Sequence, residues 1–333
     1  MHNRKIYILT YISILCGEIK IKRKVVKHGP STLIVSLPNA WVKEHGIEKG
    51  MELNVEQKEN DLIISTTKKK ELKYIEFDIS NMSQELILFC LRTIYRKGYD
   101  QVKLNFKEQK CIRFRDKTKD NLIISIIHDE VDNLIGYEII EQKEKSCLIA
   151  DVSEDSGKNF ENIIRKIFLI MDQTFQDVIL GIKNKDATLL QTISHKHDTI
   201  SRFINYSMRV LNKGVHNSPS PQDMYNILSA LDRIADIMKY SSIDISENKV
   251  PFCAVDIDVF YLIGEYIKLF EKFFYNYSNE NALELIKTRF EFIDKLKSLQ
   301  KTKATKGFNI VCEFGDIVEI LNDVIVSRIS FEL

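Results

Sequence analysis

With 333 residues, 44% of them hydrophobic and 29% charged, the chain has room for two or three domains and is too apolar for disorder. The 48 Lys and Arg against 47 Asp and Glu leave a net charge of +1, so any attraction to nucleic acid has to come from local charge. Six cysteines at 16, 90, 111, 147, 253 and 312 share no CxxC spacing, which argues against zinc ribbons and redox pairs. They sit in apolar runs such as Phe89-Cys90-Leu91 and read as reduced, buried thiols of a cytoplasmic protein.

Residues 1–20 open with the basic His2, Arg4 and Lys5 and continue as the nearly apolar run Ile6 to Cys16. That run lacks a small-x-small cleavage site and is shorter than the ~18 residues of a membrane span, so no membrane insertion is expected. An extra strand, a disordered tail or an overlong start are the expectations for it. Residues 21–68 form the first module. Two β-type runs, Arg23 to Lys27 and Leu33 to Leu37, flank the turn residues His28, Gly29, Pro30 and Ser31. Pro38 opens a short helix through Ala40, Trp41 and Val42, and Gly46 stops it. Met51 to Val55 alternates apolar and polar residues, Glu59 to Asp61 turns the chain, and Leu62 to Thr66 returns. Lys20, Lys22, Arg23, Lys24 and Lys27 fall within eight residues that hold no acid. Such a run is either a solvated strand edge or a footprint for phosphates.

That β-β-helix-β-β order, with the segment G-I-E-K-G-M-E-L at Gly46 to Leu53, resembles the swapped-hairpin AbrB/MazE/SpoVT DNA-binding family. The likeness departs from the family pattern at the loop Gly29 to Thr32, and at Pro38-Asn39-Ala40-Trp41, where Pro-x-x-[Ile/Leu]-Arg is common. The resemblance implies a homodimer of interleaved hairpins, since one such segment is too small to bury a core alone. It also implies DNA as a partner. Lys22, Arg23, Lys24 and Lys27, with Lys43 on the short helix, are the candidate phosphate-backbone contacts. Trp41, the single tryptophan, is expected in the dimer core.

Lys68-Lys69-Lys70 marks a linker, and residues 71–153 read as a small α/β domain. Residues 74 to 79 alternate as a strand, Ser83 begins a helix to about Lys97, and Gly98 ends it. Val102, Leu104 and Phe106 alternate as a second strand, and Asp116 to Val131 has helical spacing. Tyr137 to Ile140 and Cys147 to Val152 close a β-α-β-α-β-β order. It contains no GxGxxG or GxxxxGK loop to cradle a phosphate.

Residues 155–333 are helical throughout. Phe160, Ile163, Ile164, Ile167, Met171, Phe175, Val178 and Ile182 define one long amphipathic helix, and a second runs from about Ala187 to Lys213. The Asn217-Ser-Pro-Ser-Pro221 segment separates them from a third, starting near Gln222. After Pro251 three helices recur, roughly Asp256 to Tyr277, Glu280 to Lys301 and Phe308 to Phe331. The segment starting at Tyr225, YNILSALDRIADIMKY, overlays without gaps on FNIVCEFGDIVEILND from Phe308. Leu231, Ile234 and Met238 then correspond to Phe314, Ile317 and Leu321, which predicts two three-helix repeats, about 157–246 and 254–333.

Leu231-Asp232-Arg233-Ile234-Ala235-Asp236 resembles the E-R-[I/V]-[G/A]-D signature of PhoU, the phosphate-uptake regulator built from two three-helix repeats. Leu134 to Ile140, LIGYEII, resembles the middle part of archaeal-type PhoU-related regulators that carry an AbrB-like amino terminus. In such proteins the carboxylates one helical turn apart bind a divalent or iron-type metal ion, which makes Asp232 and Asp236 metal candidates. In the second copy Asp236 aligns with Glu319 but Asp232 with Gly315, and Asp323 lies one turn beyond Glu319. Carboxylates at i and i+4 offer hard oxygen ligands on one face; a solvated polar face is the alternative. His195 and His197 diverge at i and i+2, and Asp198 with Arg202 reads as a surface ion pair. No nucleophile motif or catalytic set is found, so the chain reads as no enzyme.

The fold class expected is therefore multidomain α+β: a β swapped-hairpin DNA-binding domain, a small α/β middle domain and an all-α PhoU-like bundle. The function implied is a cytoplasmic transcriptional regulator of phosphate homeostasis. An alternative is an adaptor docking on a phosphate transporter's cytoplasmic subunit or a phosphate-sensing protein. An antitoxin-like repressor is disfavoured, because MazE-type antitoxins end in short toxin-binding tails.

Overall fold

Two units divide the chain, residues 1–71 and 72–333. The computed structural model describes residues 22–29, 32–58, 61–66, 72–114, 121–153, 157, 159–216, 218, 220–247, 256–301 and 308–333. The readings made for residues 1–20, the loop centre Pro30-Ser31, Cys16 and Cys253 lie outside the described residues.

In the first unit β1 (Val26–His28) pairs antiparallel with β2 (Thr32–Ile34), Val26 lying opposite Ile34. After α1 (Asn39–Glu44), β3 (Leu53–Lys58) pairs antiparallel with β4 (Asp61–Thr66), Val55 opposite Ile64. The order is the one expected, with the first and third strands shifted toward the C-terminus. Lys22 to Val25, read as strand from Arg23, has no ladder partner among the described residues. The hairpins form two separate two-stranded sheets.

The second unit holds two apolar cores. Around the first, β5 (Tyr74–Asp78) leads through α2 (Gln84–Arg96) to β6 (Gln101–Asn105), which lies parallel to it. Ser83 caps α2, its Oγ accepting from the Leu86 amide, and Gly98 leaves the helix at φ +80. A short hairpin, β7 (Lys110–Cys111) with β8 (Asn121–Leu122), precedes α3 (Ile123–Val131). Of the helical spacing from Asp116, residues 115–120 lie outside the described residues, and the rest is helix only from Ile123, because Leu122 is extended and pairs with Lys110. Strands β9 (Tyr137–Lys143) and β10 (Ser146–Asp151) complete a sheet of order β5-β6-β10-β9. Ile87, Leu91, Val102, Leu104, Ile127 and Ile149 fill this core.

The second core belongs to the helices α4 (Phe160–Asn184), α5 (Ala187–Lys213), α6 (Pro221–Ser246), α7 (Ile257–Tyr275), α8 (Asn279–Lys301) and α9 (Phe308–Asp323). The α4–α5 turn uses Lys185 at φ +55, followed by Asp186, whose side chain accepts from the Leu189 amide. Phe175 of α4, Phe260 of α7 and Phe314 of α9 meet at ring centroids 4.8 to 6.2 Å apart, joining the two helical triplets. Leu231, Ile234, Met238, Phe314, Ile317 and Leu321 are all buried, as the overlay of α6 on α9 requires.

The last helix is not continuous to Phe331. It stops at Asp323 and resumes as α10 (Ile325–Ile329), followed by a 3-10 turn at Ser330–Glu332. Val324-Ile325-Val326 supplies three β-branched residues in succession, which weakens a helix there. The buried Arg328 that follows donates from Nε to the Phe274 carbonyl at 2.6 Å and pairs with Glu332 at 2.8 Å. Among the described residues Cys90, Cys147 and Cys312 are free thiols. Burial pushes Cys147 up to about 11. Among the described residues no helix is long and apolar enough to cross a membrane.

Candidate functional site

Lys22, Arg23 and Lys24 lie on the extended segment before β1, Lys27 on β1 and Lys43 in the last turn of α1. All five are exposed, and among the described residues none has an ion pair. Pro38 begins α1 with its carbonyl accepting from the Val42 amide at 3.0 Å, and Gly46 at φ +55 lets the Ile47 amide return to the Val42 carbonyl at 2.9 Å. That closure holds Lys43 outward. Trp41 stacks beside His45, ring centroids 5.0 Å apart, and stays half-buried.

No described side chain of this unit is buried. Val26 is 55% exposed, Leu33 69%, Val55 62% and Leu62 68%. Two-stranded hairpins are marginal alone, and both of these leave apolar side chains exposed.

Three of the carboxylates singled out in the sequence, Asp232, Asp236 and Glu319, face basic residues of the chain itself. Asp232 on α6 accepts from Arg96 Nη2 at 2.9 Å and from Ser201 Oγ at 3.2 Å, while Arg96 Nε reaches Asn205 Oδ1 at 2.6 Å. Asp236, one turn on, bonds His197 Nε2 at 2.9 Å. Asp198 lies 2.9 Å from His197 Nδ1 and 3.2 Å from Lys239 Nζ. Burial raises Asp198, but His197 and Lys239 outweigh it and hold the carboxyl below its usual range. Asp198 therefore pairs across to α6 rather than with Arg202, whose guanidinium lies over the Phe203 ring at 5.8 Å. Glu319 on α9 receives Arg289 of α8 through both Nε and Nη2, at 2.6 to 3.2 Å, and Asp323 is exposed. Asp236 and Glu319 thus each meet a basic residue on the helix that precedes their own.

Gly315 stands where the second copy lacks an acid: a Cβ there would lie 2.7 Å from Phe292 Cζ, so any side chain would force the Phe292 ring to shift. The acids are engaged by Arg96, His197 and Arg289, and among the described residues no group of three or more His, Cys, Asp or Glu is placed to hold an ion.

The structure adds a buried contact between the α/β lobe and the helices. Arg209 of α5 donates from Nη2 to Asp151 Oδ2 at 2.7 Å and from Nη1 to the Tyr95 carbonyl at 2.8 Å. Its guanidinium lies 4.8 Å from the centroids of both the Tyr95 and Tyr137 rings. Lys213 bonds Asp100 at 2.7 Å and Asp151 at 3.0 Å. Burial pushes Asp151 up, yet Ser153, Arg209 and Lys213 together hold it at about 2. Burial also lifts the Tyr137 hydroxyl to about 12, with Arg209 opposing. The signal for this contact was present in FINYSMRVL, Phe203 to Leu211, where polar residues no longer keep to one face; residues 204–211 are buried all round.

A family model described as antidote-toxin recognition MazE, bacterial antitoxin, matches residues 26–73. No curated protein and no solved structure matches the chain. The match covers the two hairpins and α1, and it fits a DNA-binding regulator in general terms.

Proposed function

We propose that the chain is a cytoplasmic DNA-binding transcriptional regulator of phosphate uptake and phosphate homeostasis. Residues 26–73 hold DNA as a dimer, and the helical lobe is the PhoU-like sensor or interaction arm. One observation carries the first half: among the described residues the unit has no buried side chain, and Lys22, Arg23, Lys24, Lys27 and Lys43 are exposed and without an ion pair. Burial of Val26 and Ile34 on one hairpin and of Val55 and Leu62 on the other against a second copy contributes up to about 1.5–3 kcal/mol each, which supplies the missing core. The same assembly doubles the positive charge facing a duplex.

Two helical triplets with quasi-equivalent acids at Asp236 and Glu319 support the PhoU-like half, and the likeness of Leu231 to Asp236 to the PhoU signature connects it to phosphate. In this reading Asp232 ties α6 to α2 through Arg96 and is not a metal ligand. The protein binds and relays and does not catalyse. Fluorescence anisotropy of the full chain with labelled DNA from upstream of phosphate-transporter genes tests the proposal. Tighter binding than to a shuffled duplex supports it, and equal binding to both rejects the phosphate link.

A second reading, an adaptor docking on a phosphate transporter's cytoplasmic subunit or a sensor protein, draws on α8. Leu283, Ile286 and Phe290 are 51%, 46% and 56% exposed and recur at spacings of three and four, an apolar stripe that solvent does not favour. Capture of the transporter subunit by the full chain, lost in Leu283→Ser with Phe290→Ser, distinguishes this reading.

A further inference from the structure

Between the α/β lobe and the helical lobe of residues 72–333 opens a cleft of about 860 Å³. Lys73, Arg96 and Lys97 line it together with Tyr74, Tyr99 and Tyr225. Among the described residues no Asp or Glu contributes to the wall, although the chain has almost as many acids as bases. The neighbouring carboxylates are already occupied: Asp100 by Lys213, Asp232 by Arg96, Glu76 by Lys103, and Asp223 by Ser220 and Ser330.

The cations keep free donors. The Lys73 and Lys97 side chains have no ion pair among the described residues, and Arg96 spends Nε on Asn205 and Nη2 on Asp232, leaving Nη1. The N-terminus of α6 also reaches the cleft at Pro221 and Gln222, and no side chain caps it. Asn212, Gln222 and Asn226 add amide groups to the same wall. The volume lies in the range of small-ligand sites.

We infer that this cleft binds a nucleotide. Its phosphates would be held by Lys73, Lys97 and the free edge of Arg96, and its base would lie against the tyrosine rings. Carboxamides at Asn226 and Gln222 are the donors and acceptors suited to a base edge. Because Arg96 also holds Asp232, phosphate binding there acts on the contact between α2 and α6. The inference stands apart from DNA binding, since the described lining residues all belong to residues 72–333.

Isothermal titration calorimetry of the full chain with ATP, AMP and inorganic phosphate, in the absence of DNA, tests it. ATP should bind once per chain and more tightly than AMP, and AMP more tightly than phosphate. Lys73→Ala with Lys97→Ala, both exposed positions, should weaken ATP by about tenfold or more, two charge-assisted contacts being lost. Tyr225→Leu should weaken ATP and AMP and leave phosphate unchanged. As a measurement needing no variant, saturating ATP should protect Lys73 and Lys97 from acetylation, read by peptide mass spectrometry. Absence of ATP binding at millimolar concentration, phosphate binding as tightly as AMP, a single-stranded oligonucleotide displacing ATP at equal phosphate concentration, or unprotected lysines would each overturn it.

Discussion

Replacing Arg209 by Met keeps an unbranched apolar stem and removes the charge that joins the two lobes. The guanidinium is 4% exposed and Asp151 6%, so the pair is dry, and losing one partner leaves a buried carboxylate. Breaking such a pair costs about 3–5 kcal/mol; Lys213 still reaches Asp151 at 3.0 Å, which places the expected loss near the lower end, about 3 kcal/mol. The pH dependence has a definite sign. Asp151 sits at about 2 in the folded protein against an ordinary 3.8. A depressed carboxylate contributes stability that is present above its unfolded value and lost as pH falls through the folded one. Here that is about 2 kcal/mol, lost between roughly pH 4 and pH 2. In Arg209→Met burial opposes fewer stabilising partners, the carboxyl rises, and less remains to be lost. Urea unfolding of both proteins, followed by far-UV circular dichroism, should therefore show a gap that is large at neutral pH and narrows by about pH 3. A gap below about 1 kcal/mol at neutral pH, or one that does not narrow in acid, would refute the reasoning.

Other consequences are more local. Gly315→Ala drives a Cβ to 2.7 Å from Phe292 Cζ and should cost roughly 1–3 kcal/mol, visible as a lowered melting temperature; Gly315→Asp, which completes the second carboxylate pair, should cost more. Protein purified without chelator and its Asp232→Ala plus Asp236→Ala variant should contain equal metal by mass spectrometry, because Arg96 and His197 already occupy those acids; metal lost only from the variant would contradict that. Ile34→Asp with Leu62→Asp places charges on the exposed apolar residues of both hairpins, and sedimentation should change from dimer to monomer. An unchanged sedimentation coefficient would remove those surfaces from the dimer.

Local chemistry was the legible part. Ser83, Gly98 and Pro221 punctuate helices in the way their side chains and backbone freedom dictate, so the limits of α2 and the start of α6 could be placed from sequence. The overlay of Tyr225 onto Phe308 placed the buried stripe of α9 residue by residue. What failed needed tertiary information. Asp116 to Val131 was read as one helix, but Asn121 and Leu122 are taken by a strand partner ten or more residues away, Lys110 and Cys111. Asp232 and Asp236 were legible as one helical face, and whether that face met metal, solvent or cations depended on Arg96, more than a hundred residues earlier. Arg209, Lys213, Asp100 and Asp151 could not be paired from spacing at all, since their approach depends on how two lobes pack.

The central claim is that paired hairpins hold DNA through Lys22, Arg23, Lys24, Lys27 and Lys43. Its most direct test is the salt dependence of duplex binding by the full chain. If all five cations of two protomers contact phosphates, the slope of log K against log salt approaches about −9, and Arg23→Ala with Lys24→Ala should reduce its magnitude by about 3 to 4. A slope near zero, or one that the double variant leaves unchanged, would contradict the account.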